Sequence, residues 1–229
     1  MNKIIIPMVV LTLAVVSLAG TPKEAVEDRL QRSAEVLQQV MSAPDKGIPE
    51  EVIKGAKCIA VIPHEIKAGF IFGAKAGKGV ATCRTTNGWS APAFFAVTGG
   101  SWGAQIGIEG VDNVLMIMNQ RGMERLLSDK FQIGGEASAA AGPVGRHAAA
   151  GTDWKLETEI LSYSRAKGAF AGVSLDGTYV RPDREAILAL YDKDLTPGQI
   201  LTGKVRPPEA AHVFLAAVWN AEQMAEKRT

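Results

Sequence analysis

Gly99, Ser101 and Gly103 form a Gly-x-Ser-x-Gly spacing, the pattern in this chain that comes nearest to covalent chemistry. In a hydrolase it sets the serine on a sharp strand-to-helix turn, and the helix N-terminus helps to hold the oxyanion. Here Gln105 to Met118 alternates like further strand, so the helix is missing and a glycine-rich β segment is expected instead. His147 and His212 would have to supply the base, and neither sits in a catalytic context. Together with His64 they lie far apart in the chain without acidic residues at ligand spacing, so no metal site is expected. Gly73, Gly77, Lys78 and Gly79 fall short of a nucleotide phosphate loop, because only three residues separate the first glycines and Gly79 stands where a hydroxyl is needed. Lys75 and Lys78 could still hold a phosphate by charge and exposed backbone N–H groups if they sit on a turn. Glu109, Asp112, Glu157 and Glu159 read as solubilising carboxylates as readily as paired acids. The expectation is a protein that is not an enzyme and carries no cofactor.

The elements that position these residues centre on Lys57 to Asn119. Alternating apolar and glycine residues predict antiparallel strands at 57–62, 67–74, 79–86, 92–98, 104–109 and 113–119, with tight connections at Lys75–Lys78 and Asn87–Gly88. Asn-Gly suits a type I′ turn, which needs positive φ at both central positions. The strand at 113–119 is apolar on both faces and should lie centrally. Before the sheet, Val26, Leu30, Ala34, Leu37 and Met41 recur at helical spacing behind a Thr21–Pro22 start, which predicts an amphipathic helix. Its apolar face would pack on the sheet, or insert into a membrane through Val26, Leu30 and Leu37. After the sheet come a short helix near 120–130, a small-residue strand within Gly134–Gly151, and a half-exposed strand over Thr152–Ser164. A last hairpin turns at Asp176–Gly177, Asp183 caps a helix through Tyr191, and a closing helix runs to about Lys227. The fold class is α+β: a largely antiparallel curved sheet or sandwich flanked by an N-terminal amphipathic helix and C-terminal helices.

Residues 1–19 have the basic start, apolar centre and small-residue end of a secretory signal, leaving a single domain over 20–229. Localisation is expected to be exported, periplasmic or extracellular, with peripheral membrane association. Thr21 stands where a lipoprotein signal would need cysteine, so any membrane contact falls to the folded domain. Without residues 1–19 the chain has 24 basic and 24 acidic residues, a balance that argues against nucleic acid as partner. Charge is nonetheless segregated, since residues 57–85 hold five basic residues against Glu65 alone. Cys58 and Cys83, the only cysteines, are either a disulfide formed on export or two buried thiols.

Lys57–Pro63, Gly69–Phe72, Gly88–Phe94, Gly99–Gly107, Ala141–Arg146 and Tyr163–Gly168, with Phe170–Gly172 ahead of Leu175–Gly177, together resemble the SYLF lipid-binding domain family over roughly residues 25–220. The resemblance implies a non-enzymatic domain that binds anionic phospholipids, including phosphoinositides in eukaryotic members, some of which also bind actin. For an exported form it implies a generic anionic phospholipid and no actin. The cations expected to meet lipid headgroups are Lys75, Lys78, Arg84, Arg146, Arg165 and Lys167.

Overall fold

The computed structural model describes residues 21–43, 47–143, 158–166, 169–172 and 175–226. The expected signal at residues 1–19 and the cations Arg146 and Lys167 lie outside the described residues. Helix α1 spans Pro22–Ser42 and starts as its sequence dictates. The Thr21 hydroxyl accepts from the Glu24 N–H at 3.2 Å while the Glu24 carboxylate accepts from the Thr21 N–H at 2.7 Å, a reciprocal cap. Its apolar stripe is fully committed: Val26, Leu30 and Leu37 are 2%, 0% and 0% exposed. This corrects the expectation that these three contact a membrane. Burying each leucine stabilises the fold by about 2 kcal/mol, and swinging the helix outward would forfeit that. Among the described residues no helix is long and apolar enough to cross a membrane.

After α2, Glu50–Gly55, the six expected central strands merge into two. Strand β1 runs over Cys58–Thr85 and β3 over Ala93–Ile117, paired antiparallel from Cys58↔Ile117 to Ala81↔Ala93. Register shifts fall between Ile62 and Glu65 and between Gly69 and Ile71. At the first, His64 takes a φ of 53° and donates its N–H to Asp112 Oδ1 at 2.9 Å. The expected turn at Lys75–Lys78 does not exist, because Lys75 pairs with Gly99 and Lys78 with Ala96 in unbroken ladder. The backbone N–H groups a phosphate would need there belong to the sheet.

The glycines bring two stretches of the ribbon together rather than turning the chain. The ends of β1 meet, joined by the Cys58–Cys83 disulfide and by the Arg84 N–H donating to the Lys57 carbonyl at 2.7 Å. A Cβ on Gly79 would stand 2.8 Å from the Val61 carbonyl oxygen and from Ile62, so glycine is required where the doubled ribbon packs on itself. Strand β2, Gly88–Trp89, folds back on Arg84–Thr85. Only Gly88 of the Asn-Gly pair has positive φ, at 103°, so the turn is not type I′.

Helix α3, Gln120–Leu127, and strands β4, Phe131–Gln132, and β5, Ala139–Ala141, precede β6, Ile160–Ala166, β7, Ala169–Gly172, and β8, Thr178–Pro182. The sheet order is β2-β1-β3-β6-β5, with β5 parallel to β6. The expected last hairpin is replaced: β7 pairs with β6, whereas β8 pairs with β3 and β4, although Gly177 does turn the chain with φ 76°. The half-exposed strand expected over Thr152–Ser164 lies largely outside the described residues; in the part described, residues 160–164 of β6 are buried on both faces. Helix α4, Arg184–Tyr191, and a short helical stretch from Pro197 to Lys204 lead to α5, His212–Glu226. The fold is α+β, a curled sheet with helices from both chain ends packed on it. Inside the curl, Ile62, Val97, Leu115, Phe131 and Val180 surround a cavity of only about 20 Å³, too small for an acyl chain.

Candidate functional site

Of the six candidate cations, four fall on described residues, and the structure does not bring them together. Arg84 is spent on the fold. Its Nε donates to the Ala56 carbonyl at 2.9 Å and one terminal nitrogen to the Ile53 carbonyl at 3.2 Å. The other terminal nitrogen pairs with Glu222 while the guanidinium lies 4.5 Å over the Trp89 ring, whose Nε1 donates to the same carboxylate at 3.1 Å. Arg84 thus fastens α5 to the start of the sheet. Arg165 places Nε at 2.9 Å and a terminal nitrogen at 2.5 Å from Asp112 Oδ2, locking β6 to β3. Neither is a headgroup ligand in this geometry.

Lys75 is 7% exposed and points to the inner side of β1. Its stem crosses Gly99 so closely that a Cβ there would lie 2.9 Å from the lysine Cε. Burial pulls its pKa below the usual lysine value, against the attraction of Glu65, which is itself buried and accepts from Asn113 Nδ2 at 2.8 Å. Its expected role at the surface is corrected: strand alternation sends Lys75 inward and Lys78, three residues on, outward. Ser101 lies in mid-strand, paired with Gly73, with no strand-to-helix turn around it.

Lys78 is the one described candidate on an open site. It borders a cleft of about 410 Å³ with Arg181 of β8, Arg184 and Glu185 of α4, Asp129 and Asp183. Three elements contribute because Lys78, Ala96 and Arg181 are consecutive cross-strand neighbours, and Asp183, two residues after Arg181, caps α4. Asp183 is the buried floor. Its Oδ1 accepts from the Ala186 N–H, while Oδ2 lies 3.0 Å from the buried Arg29 guanidinium and 3.3 Å from Lys78 Nζ. Burial alone would raise its pKa, but the charge and hydrogen bond of Arg29, the Ala186 N–H and Lys78 outweigh it and hold the carboxyl below its ordinary range. Asp183 therefore stays ionised and ties Lys78 to one wall while Arg181 and Arg184 remain exposed at the rim. Arg184 has only a loose pairing with exposed Asp129 at 3.7 Å.

Such a site can take an anionic oxygen group between Lys78, Arg181 and Arg184. It has no nucleophile and base in contact, and no group of metal-binding side chains occurs among the described residues. The sequence reading missed Arg181 and Arg184, although Arg181-Pro182-Asp183-Arg184 flanks the predicted helix cap with cations. Arg29 falls between the apolar positions of α1 in sequence, and nothing local marks it as the partner of a residue 154 positions away.

A family model described as Ysc84, Las17-binding protein actin regulator, matches residues 98–221, which contain β8, α4 and most of β3. Similar proteins include LAS seventeen-binding protein 3 of Saccharomyces cerevisiae, 39% identical over 75% of this chain and 38% of its own length. Protein YSC84 of the same yeast is 37% identical over 83% of this chain and 42% of its own. Human SH3 domain-containing YSC84-like protein 1 is 34% identical over 76% and 51% respectively. The chain spans about half the length of these relatives or less. The chain belongs to the Ysc84 family, the family of SYLF domains.

Proposed function

We propose that this domain binds anionic phospholipid headgroups without catalysis, and that the Lys78–Arg181–Arg184 cleft receives the phosphate. One observation carries the reading: three cations from β1, β8 and α4 border one open cleft whose buried carboxylate, Asp183, is already met by buried Arg29, with Asp129 and Glu185 as its other acids. The small size of the cavity among Ile62, Val97, Leu115, Phe131 and Val180 favours a headgroup at the surface over an acyl chain held there. The same reading keeps the sequence expectation of export through residues 1–19, which cell fractionation checks.

The test is co-sedimentation with phosphatidylcholine vesicles, with and without phosphatidylglycerol, at low and high salt. Wild type should bind only the anionic vesicles and release them in salt. A Lys78→Gln/Arg181→Gln/Arg184→Gln variant removes three charges at about 1 kcal/mol each near an anionic surface, so its affinity should fall roughly 150-fold. Vesicle binding by that variant at wild-type strength would refute the cleft.

A second reading comes from the family description, which names its members actin regulators and Las17-binding proteins. The expectation of no actin partner finds no support there. Co-sedimentation with filamentous actin, in the absence of lipid, decides whether contact with actin or its regulators extends to this chain.

A further inference from the structure

The helices cover only part of the outer sheet face. Along β1 and β3, the paired residues Val80 and Phe94 are completely buried. One step along the same face, Lys78 is 57% exposed beside Ala96, and two steps along, Ala76 and Thr98 both stand in solvent. The next pair, Ala74 and Gly100, is exposed as well. On β8, Arg181 continues the row of Lys78 and Ala96, and Tyr179 the row of Ala76 and Thr98. The Arg29–Asp183 ion pair, with Arg29 lying 5.4 Å from the Phe94 ring, marks the line at which helix cover stops.

Beyond that line the sheet presents alanine, threonine and glycine over an area of roughly 13 Å by 10 Å, taking four residue steps along the strand and three strands at ordinary spacings. Lys78 and Arg181 bound it on the cleft side, and Lys130 Nζ lies 4.6 Å over the Tyr179 ring on the far side. The paired rows themselves carry positive charge only.

We infer that this uncovered sheet face, and not helix α1, is the surface laid against an anionic membrane. The inference rests on the headgroup reading above and deepens it by naming the contact face. Small side chains leave no pocket or ridge to seat the aromatic and arginine anchors that hold protein partners together. They do let the rim cations and the amphipathic Tyr179 ring reach a headgroup layer together. The net charge of the rows complements that layer.

The test inserts acid where no native contact is lost. Thr98→Glu/Ala76→Glu, at two exposed positions, should weaken binding to phosphatidylglycerol vesicles roughly 25-fold, at about fivefold per charge. Gln31→Glu, on the solvent side of α1, should bind as wild type. A nitroxide on Thr98→Cys should lose access to a water-soluble relaxation agent when vesicles are added, and one on Gln31→Cys should keep it. Failure of the wild type to bind any vesicle overturns the headgroup reading and this inference together. Wild-type binding that Thr98→Glu/Ala76→Glu leaves intact overturns this inference alone, as does binding of a protein through this face with no vesicle binding lost.

Discussion

Asp183 offers the sharpest test of how the cleft is built. Its carboxylate is 7% exposed and faces an Arg29 side chain that is 9% exposed, at 3.0 Å. Removing one partner of a buried ion pair costs about 3–5 kcal/mol, because the other charge is left without compensation. Asp183→Asn keeps the cap, since asparagine accepts from the Ala186 N–H as aspartate does, and loses only the charge. The open cleft admits water to the site, so the expected cost lies at the low end, about 3 kcal/mol. Asp183→Ala also removes the cap and should cost about 1 kcal/mol more. Arg29→Met leaves Lys78 at 3.3 Å to meet the carboxylate, so it should cost less than Asp183→Asn. The double variant Arg29→Met/Asp183→Asn should therefore cost at least 1.5 kcal/mol less than the two single costs together. Urea denaturation gives each value from the midpoint and slope. The pH dependence has a definite sign. The folded carboxyl is held below its ordinary value, so its contribution is complete above about pH 4 and is lost as pH falls through the folded value. Asp183→Asn should flatten that acid limb. If it stays within 1 kcal/mol of wild type, the pair does not hold the floor and the account of the cleft is wrong.

Two further predictions concern the other fastenings. Cys58→Ser/Cys83→Ser opens a link between residues 25 positions apart, and loop-closure entropy puts the loss at about 3.5 kcal/mol, measurable as a lower urea midpoint that reductant reproduces in the wild type. Glu222 is pushed up by burial, but the hydrogen bonds of Arg84 and Trp89 and the charge of Arg84 outweigh this and leave its carboxyl below the usual range. Its stabilisation is likewise present above the ordinary carboxylate pKa and lost on acidification. Glu222→Gln should then lower stability at pH 7 more than at pH 3, and equal losses at both would remove Glu222 from the α5 latch.

Local signals were legible wherever one element decides them. The Thr21 cap, the α1 stripe, the Asp183 cap and the central position of residues 113–117 all follow from neighbours within a few positions. Glycine misled the strand assignment. Gly73, Gly77 and Gly79 resemble turn residues in sequence, yet Gly77 and Gly79 exist for close packing against Ile62, which only the doubled ribbon reveals. The cations were read by type alone. Arg84 and Arg165 look as available in sequence as Arg181 does, and their partners Glu222 and Asp112 lie 138 and 53 positions away. A side chain's freedom to meet a ligand depends on such distant partners, so spacing could nominate Lys78 but could not separate it from the rest.

The same partners explain how a chain of formal net charge only +1 can still present faces of opposite character. On α1 the solvent side exposes Glu24, Glu27, Asp28 and Glu35 against Lys23 and Arg32, because Arg29 is drawn inward to Asp183. That inward turn leaves the helix surface more acidic than its sequence alone implies, and it also meets the one carboxylate that would otherwise neutralise Lys78. A single buried ion pair thus moves negative character onto the helix and preserves positive character on the sheet. Toward an anionic surface the first is repelled and the second attracted, and at physiological salt both act within about 8 Å, where the choice of face is made. If the proposed headgroup binding holds, orientation follows from charge separation across the Arg29–Asp183 line, and Arg29→Met should weaken vesicle binding although Arg29 is buried.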